Sequence, residues 1–406
     1  MARSLTQSDT GALQTRRFLL LYALASAGAS ASYAPFLTLL LPLRAREVWD
    51  VQSLEVLSYA AFVGAVSASL ANIGFGWLSD RTRNRRGWIV AGLVLSGILL
   101  CMMNRVTTVP MLLVLIAAWQ AALNMMLGPL MAMGGDYVPD AQKGTLGGLL
   151  SVAPATGALV GALITLPGLA DADTRLVLNA LLVAAMILPL VVFGRPRPMP
   201  QLMEPATVEA GGVLVVDTDP ADKGYPVARM WVARLLVQIP EATLFAFLFL
   251  WFSSLDPAFT ENDTARIFTI VLFASVPVSL VVGRWSDRAG RPRLPLTVAT
   301  ALSAIGILIL AVAPGVAGGI AGYVLFGLTA GVFLSLHAGQ TLRVLPRPSR
   351  RGRDLGIFNL TNTVPSLVMP WIVLALIPAF GFRGLFVLLA VLLALSSLIL
   401  ASIRRF

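Results

Sequence analysis

Two loops with nearly the same sequence determine how this chain is organised. Residues 76–86 read GWLSDRTRNRR, and residues 283–293 read GRWSDRAGRPR. The glycine, serine, aspartate and arginine of the first six positions agree, and Asp287 follows Asp80 by 207 residues, about half of the 406-residue chain. The repeat predicts an internal duplication in which each half of the chain contributes one loop.

The sequence around the loops is too apolar for an ordinary soluble protein. Hydrophobic residues make up 57% of it and charged residues only 12%, against about 25% charged residues in soluble domains. The apolar runs have the length of about 20 residues that crosses roughly 30 Å of hydrocarbon, which predicts an all-α membrane protein with twelve spans. The predicted spans are 18–42, 54–78, 88–104, 110–135, 146–169, 175–194, 230–254, 265–284, 295–313, 316–342, 355–377 and 384–403.

The longest polar stretch separates six spans from six. We therefore expect an N-terminal half at residues 1–194, a cytoplasmic linker at 195–229 and a C-terminal half at 230–406. Residues 211–216 could form a strand, but an isolated apolar run of this size is expected to rest on the membrane surface or on the helices. Two arginines before the first span imitate a secretion signal, but that span is longer than a signal core, so no cleavage is expected.

Basic residues lie mainly on one side of the predicted membrane. With the amino terminus inside, 24 of the 30 lysines and arginines fall in cytoplasmic segments. This bias predicts cytoplasmic termini and a place in the inner cell membrane. It also accounts for the net charge of +10 without a nucleic-acid partner. One cysteine and one histidine exclude an internal disulfide and a zinc site built from those residue types, and we expect no metal and no cofactor.

The two loops resemble the G-x-x-x-D-R-x-G-R-[KR] signature of the major facilitator superfamily. The second copy is close to this pattern, whereas the first has Arg83 where the glycine is usual. The resemblance covers the whole chain and implies two six-helix bundles facing each other around a central cavity, as in secondary transporters. It also implies a set of loop residues that gate this cavity. They are Gly76, Asp80, Arg81, Gly283, Asp287 and Arg288.

Each loop aspartate is expected to contact the opposite half. The resemblance implies that Asp80 lies near the start of span 11, around residues 354–356, and that Asp287 lies near the start of span 5, around residues 144–146. A helix start suits an aspartate because its unpaired N–H groups and its dipole favour an anion. The alternative, that the loops only set topology, leaves the duplicated aspartates unexplained.

Three stretches resemble a narrower group, the glycoside, pentoside and hexuronide cation symporters and the plant sucrose/proton symporters. The first loop resembles S-D-R-T-R-S-R, residues 124–136 resemble N-x-x-Q-G-P-x-R-A-L-x-A-D, and residues 354–360 resemble L-G-V-L-N-L. Met131 stands where the second pattern has an arginine. This resemblance implies a sugar or glycoside-like solute that is carried together with protons.

Two carboxyl groups are candidates for proton coupling. Glu241 lies about twelve residues into span 7, directly after Pro240, on one helical stripe with Arg234 and Gln238. Because Arg234 is about 10.5 Å away along the helix axis, this carboxyl can stay unpaired and exchange a proton. Asp136 closes span 4, where the symporter resemblance implies a coupling aspartate. We expect Glu241 to carry the proton before Asp136, because Asp136 lies close to cytoplasmic water.

Polar side chains recur at helical spacing in several spans and predict the wall of a solute cavity. Hydroxyl, amide and aromatic groups suit a neutral polyol, although each stripe could instead hold helices together. The spans contain no basic cluster that could bind a phosphate or a carboxylate. The predicted solute-binding residues are Tyr22, Ser26, Ser30, Tyr33, Gln120, Asn124, Gln238, His337, Gln340, Asn359 and Asn362.

These features predict a transporter and not an enzyme. The sequence has no HExxH, GxSxG or phosphate-binding glycine motif. The predicted function is proton-coupled symport of a small neutral solute by alternating access. The alternative is proton-coupled export of amphipathic or drug-like solutes, for which thirteen methionines could provide an adaptable surface. The expected partners are the solute, protons and the lipid bilayer, with no obligate protein partner.

Overall fold

Long helices and one small sheet make up the described chain. The computed structural model describes residues 13–166, 168–202, 207–210, 213–216, 220–313, 315–345 and 350–403. The helices before the linker are α1 (Arg16–Ala31), α2 (Leu41–Trp49), α3 (Ser53–Thr82), α4 (Arg85–Cys101), α5 (Val109–Tyr137), α6 (Lys143–Leu150), α7 (Val152–Ile164) and α8 (Ala172–Phe193). Those after it are α9 (Pro220–Leu255), α10 (Glu261–Ala289), α11 (Leu294–Val312), α12 (Val316–Val344) and α13 (Arg351–Ala401). Within these described ranges, 11 helical segments are long and apolar enough to cross a membrane.

Two predicted spans are broken in front of a proline. α1 ends at Ala31, four residues before Pro35, and the chain continues through a π-helical turn at Phe36–Leu40 into α2. α6 ends at Leu150, four residues before Pro154. Proline lacks an N–H group and its ring clashes with the carbonyl four residues earlier, which accounts for both breaks.

The last element, α13, folds back on itself at Gly381. This glycine has φ 62° and ψ −172°, inside an element of 51 residues. Both arms lie against the same part of α9, because Trp231 donates a hydrogen bond to the carbonyl of Ile357 (2.9 Å) and Arg229 donates one to the carbonyl of Ser402 (2.8 Å). Glycine tolerates the positive φ because it has no Cβ. The two arms correspond to the last two predicted spans.

The linker differs from the prediction in two respects. Strand β1 (Thr207–Ala210) pairs antiparallel with β2 (Val213–Val216), so residues 213–216 of the apolar run expected to rest on the membrane form a strand, and residues 211 and 212 lie outside the described residues. Pairing satisfies backbone groups that an isolated run would leave unpaired, and it adds one small sheet to the otherwise helical structure of the described residues. Helix α9 begins at Pro220, inside the predicted linker, at a helix start where proline is well tolerated.

The two halves meet mainly where α3 packs against α13 and where α6 packs against both α10 and α12. The α3–α13 and α10–α6 pairs correspond to each other in the duplication, because α3 and α10 carry the two repeated loops at their ends. The end of the molecule that carries these loops is called the loop end below.

Candidate functional site

Asp80 joins the two halves at the loop end. Its carboxylate accepts hydrogen bonds from the backbone N–H groups of Gly352 (2.9 Å) and Arg353 (3.0 Å). These are the second and third residues of α13, whose N–H groups have no partner within the helix and where the helix dipole favours an anion. The resemblance placed this contact slightly further along the chain, around residues 354–356.

Asp287 makes the corresponding contact in the opposite direction. It accepts hydrogen bonds from the backbone N–H groups of Gly144 (2.8 Å) and Thr145 (2.6 Å) and from the Thr145 hydroxyl (2.8 Å). Gly144 and Thr145 are the second and third residues of α6. The expected contact with the start of span 5 is therefore present, and the gating role of both aspartates stays a prediction.

A glycine four residues before each aspartate permits this approach. A Cβ atom at Gly76 would overlap the carbonyl of Gly352, and a Cβ atom at Gly283 would overlap the carbonyl of Gly144. The backbones of the two halves are therefore in direct contact at both places. The loop end is closed in this conformation.

The arginines that meet the two aspartates lie outside the matching part of the loops. Arg85 is 2.6 Å from the first aspartate and Arg343 is 3.3 Å from the second. Arg81 and Arg288, the predicted gating arginines, are exposed, and Arg81 lies 5.8 Å from the ring centre of Trp77. In the described chain neither of them forms an ion pair with the aspartate it follows.

Asp136, the second candidate for proton coupling, belongs to a buried ion network. It accepts hydrogen bonds from Arg351 (2.7 Å) and Arg85 (3.1 Å), and its side chain is 6% exposed. Arg351 comes from the C-terminal half and also donates to the carbonyl of Leu202 at the start of the linker (3.0 Å). This geometry ties both halves and the linker together at the loop end.

Predicted solute-binding residues on α1 mostly hold structure together. Tyr22 donates a hydrogen bond to the carbonyl of Leu130 (3.1 Å), and Ser26 donates one to the carbonyl of Tyr22 (2.8 Å). Ser30 is buried. Tyr33 is exposed and is the member of this predicted stripe that reaches open space.

On α5, the predicted pair Gln120 and Asn124 is buried against α3. Asn124 accepts a hydrogen bond from the amide of Asn72 (2.8 Å) and donates one to the carbonyl of Gln120 (2.9 Å). Asn72 is a lone amide in an apolar run, so no pattern in the sequence predicted this contact. These contacts match the alternative that a polar stripe holds neighbouring helices together. Solute contact by Gln120 and Asn124 stays a prediction.

A cluster of predicted solute-binding residues lies between α9 and α13. Arg234 donates hydrogen bonds to the hydroxyl of Thr361 (3.1 Å) and to the amide oxygen of Asn362 (3.3 Å). Gln238 donates to the same oxygen (2.5 Å), and Asn362 donates to Asn359 (2.7 Å). The structure thus brings three predicted residues together and adds Arg234 and Thr361.

Arg234 and Glu241 are the charged groups beside this cluster. Predicted span 7 (230–254) contains Arg234, although the count of cytoplasmic charges includes it, and the structure also places it inside the apolar segment Pro226–Leu255. Its side chain is partly buried, and no carboxylate of the described residues lies within ion-pair distance. Glu241 is also partly buried, and the described part of the chain offers it no hydrogen bond or ion pair.

His337 and Gln340 are fully buried in this conformation. The His337 ring bonds to the carbonyl of Met230 (3.0 Å) and to the hydroxyl of Thr341 (3.1 Å). Gln340 is 1% exposed, and neither of its amide atoms has a partner among the described residues. A buried side chain cannot touch a solute in this state, so their predicted binding role applies to another conformation.

The chain belongs to the Major Facilitator Superfamily, whose family model matches residues 18–261 and 230–405. This match identifies a transporter that spans the membrane several times and not an enzyme. No curated protein matches the chain.

Several solved structures share the fold of this chain. The human organic anion transporter MFSD10 (TETRAN) has a TM-score of 0.77 at 13% identity and covers 95% of this chain and 99% of its own. A bacterial homologue of the iron transporter ferroportin, outward-facing, gives 0.70 at 14% identity, covering 95% and 98%. FucP in the outward conformation gives 0.65 at 16%, covering 96% and 99%. Identities this low establish the fold alone.

Proposed function

We propose that this transporter moves a small polar solute with a negatively charged group, together with protons, by alternating access between its halves. The single observation that carries the proposal is Arg234, a cation inside a membrane-spanning segment whose described neighbours include no ion-pair partner. Charged residues within spans are costly and mark solute or ion pathways by default. An anionic solute would supply a negative charge in direct contact with it.

The groups around Arg234 define the rest of the solute. The buried hydroxyl of Thr361 holds the guanidinium of Arg234, while Gln238, Asn359 and Asn362 present amides. Such groups bind hydroxyl and carbonyl oxygens of a ligand. A hydroxylated acid, such as a sugar acid, satisfies both the cation and the amides.

Glu241 supports coupling to protons. It shares a helical face with Arg234, about 10.5 Å further along α9, and Pro240 beside it frees a backbone carbonyl. When an anion occupies the Arg234 site, a proton on Glu241 keeps the cavity from holding a net negative charge, which is expensive at low dielectric. Anion and proton therefore enter together. Asp136 is the less suitable carrier because two arginines already hold it.

Two other solute classes remain alternatives. A neutral sugar or glycoside, as the symporter resemblance implies, is favoured by the amides of the same cluster. Export of amphipathic solutes is favoured by exposed aromatic side chains on α9, such as Phe245. For the membrane, we propose the inner cell membrane with both termini cytoplasmic, supported by the 24 of 30 basic residues that the sequence analysis assigned to that side.

Matched solutes test the charge of the substrate. Sugar acids and their neutral sugars, identical except for the carboxylate, are added to the purified protein and its melting temperature is measured. Acids should stabilise it, by about 2.7 kcal/mol at 100 times Kd, and Arg234→Gln should remove this effect. The control is Arg229→Gln, which removes a charge from the same helix. Arg229 donates a hydrogen bond to the carbonyl of Ser402. Stabilisation by neutral sugars alone would favour the neutral-solute alternative. If neither class of solute stabilises the protein, the exporter alternative is favoured.

Proteoliposomes test the proton carrier. Glu241→Gln should abolish uphill uptake driven by a pH gradient and preserve solute exchange between equal pools, because exchange moves no net proton. Glu55→Gln removes an exposed carboxyl that accepts a hydrogen bond from Tyr59 (2.9 Å) and should keep both activities. Normal accumulation by Glu241→Gln would refute the assignment, and the same phenotype in Asp136→Asn alone would transfer it to α5.

A further inference from the structure

An apolar groove runs along the outer face of α3. It encloses about 730 Å³, and Ala117 and Ala121 of α5 form its floor. On α3 it extends from Phe62 to Leu78, about 24 Å at 1.5 Å per residue. The one hydroxyl in its lining, that of Ser67, already donates a hydrogen bond to the carbonyl of Ala117 (2.6 Å). Apart from the indole N–H of Trp77, the groove therefore offers its occupant apolar contact.

The groove faces the bilayer and not the partner half. Ser69 and Gly76 contact α13 of the other half. At 100° per residue, the groove residues Val63, Leu70 and Gly74 lie about a third of a turn away from that face. Leu70 is 69% exposed, which in a membrane-spanning helix means contact with lipid.

A cation lies at the loop end of the groove. Trp77 lines the groove, and the guanidinium of Arg81 lies 5.8 Å from its ring centre. Arg81 is exposed, and no carboxylate in the described ranges is within ion-pair distance of it. Tryptophan and arginine at the end of a span are typical anchors at the boundary between hydrocarbon and water. The groove thus combines an apolar channel with a positive charge where lipid headgroups lie.

We propose that the groove binds one anionic phospholipid, with an acyl chain along α3 and the headgroup phosphodiester against Arg81. The groove is longer than the roughly 15 Å of hydrocarbon in one leaflet, so a whole chain fits along it. A second copy of the protein is a poorer occupant. A two-fold interface would bring the two copies of Arg81 towards each other, whereas a phosphodiester neutralises the charge.

Brominated lipids test the proposal, because bromine quenches tryptophan fluorescence by contact. The protein is placed in phosphatidylcholine nanodiscs that contain a varied fraction of bromo-acyl phosphatidylglycerol or bromo-acyl phosphatidylcholine. The difference between wild type and Trp77→Phe isolates the signal of Trp77. Half-maximal quenching should need about fivefold less brominated phosphatidylglycerol than phosphatidylcholine, as expected for one arginine near the surface.

Two variants separate the charge from the groove. Arg81→Gln should remove the preference for phosphatidylglycerol, whereas Arg288→Gln, the exposed arginine of the other loop, should keep it. Gly74→Leu should reduce quenching by both lipids, because no atom lies within 4 Å of a Cβ at Gly74 and the side chain can fill the groove without a clash. Ala71→Leu is a second filling variant should the first fail to fold.

Three results would overturn the proposal. The first is equal quenching of Trp77 by the two lipids, and the second is unchanged quenching in a folded filling variant. The third is efficient disulfide dimerisation of Gly74→Cys in a Cys101→Ser background, which would assign the groove to a contact between copies. Cys101 is the single native cysteine, so this cross-link has one origin.

Discussion

The two repeated loops make the same backbone contact and surround it with different side chains. In each, an aspartate accepts hydrogen bonds from the second and third N–H groups of a helix in the other half. The first clamp consists of Asp80, Arg85, Asp136 and Arg351, and it is an ion network whose arginines are 11% and 6% exposed. The second clamp consists of Asp287, Thr145 and Arg343, in which a hydroxyl replaces the second carboxylate.

The difference shows which part of the contact the duplication supplied. The shared glycine and aspartate give both clamps their backbone geometry. Residues that the two loops do not share set the strength of each clamp, since removing one partner of a buried ion pair costs about 3–5 kcal/mol, whereas a neutral hydrogen bond contributes about 0.5–1.5 kcal/mol. If the halves rock as rigid bodies, both clamps open in one transition. The first clamp then contributes most of the free-energy change of that transition.

The largest predicted effect comes from removing the charge at the centre of the first clamp. Asp136→Asn leaves two arginines around a neutral amide, so it should shift the equilibrium towards an open loop end by about 3–5 kcal/mol. Spin labels at positions 82 and 289, attached through Thr82→Cys and Ala289→Cys in a Cys101→Ser background, measure the two populations by distance.

An exposed carboxylate provides the control. Glu47 pairs with Arg44 (3.2 Å) away from the loop end, and its side chain is 66% exposed, so Glu47→Gln should change the equilibrium by less than about 1 kcal/mol. Equal shifts in the two variants would mean that the burial of Asp136 does not determine how strongly the first clamp holds the loop end closed.

The next effect concerns the contact that the clamps share. Asp80→Ala and Asp287→Ala each remove a charged acceptor from two N–H groups, and each should favour the open loop end by about 2–3 kcal/mol. Transport should slow, while solute affinity stays within a few fold because neither residue lies in the α9–α13 cluster. Flux and binding assays on the same preparations check this, and Thr145→Val, which removes only the hydroxyl, should have a smaller effect. Unchanged transport in both alanine variants would contradict the gating role.

The backbone part of these clamps could be predicted from sequence, and their ion pairs could not. Asp80 and Asp287 recur in a duplicated pattern, so their role leaves a local signal. Arg351 reaches Asp136 across 215 positions of the chain, and nothing local marks an arginine for such a pair. Hydropathy also did not indicate the helix breaks before Pro35 and Pro154, because a broken run is as apolar as a straight one.

The sequence also could not show which neighbour each polar helix face of the proposed solute site contacts. Helical spacing grouped Asn124 with other polar residues, but spacing cannot tell a cavity wall from a neighbouring helix, and the structure pairs it with Asn72. Arg234 was counted with the cytoplasmic charges although it lies within predicted span 7 (230–254). Its partners Thr361 and Asn362 are far away in sequence, and this one residue changes the expected charge of the solute.

A third prediction tests whether the glycines of the two loops are equivalent. Gly76→Ala and Gly283→Ala should each destabilise the closed loop end by about 2 kcal/mol, because the added methyl group overlaps a carbonyl of the other half. The same spin-label distances measure the shift. Gly74→Ala is the control on the same helix, since nothing lies within 4 Å of its Cβ. A shift in one loop only would show that the duplication no longer imposes the same backbone approach.

The smallest predicted effect concerns the residue that ends the helix in each loop. This residue is an arginine in the first loop and a glycine in the second, and both have a left-handed backbone. Arg83 ends α3 with φ 52° and ψ 22°, and Gly290 ends α10 with φ 59° and ψ 27°. The left-handed conformation costs a non-glycine residue roughly 1–2 kcal/mol, so Gly290→Ala should destabilise folding by about 1 kcal/mol. Arg83→Gly should gain less than that, since glycine also loses more entropy on folding.

Thermal unfolding in detergent measures both changes, with Arg83→Asn as a control that tolerates the left-handed region. Both positions are exposed, so the spin-label populations should stay unchanged while the melting temperature moves. An altered population in Arg83→Gly would mean that this residue acts on the clamp and that the first loop departs from the family pattern for a reason of function. A change in melting temperature alone would mean that the first loop tolerates the strain because the Asp80 contact already fixes the end of α3.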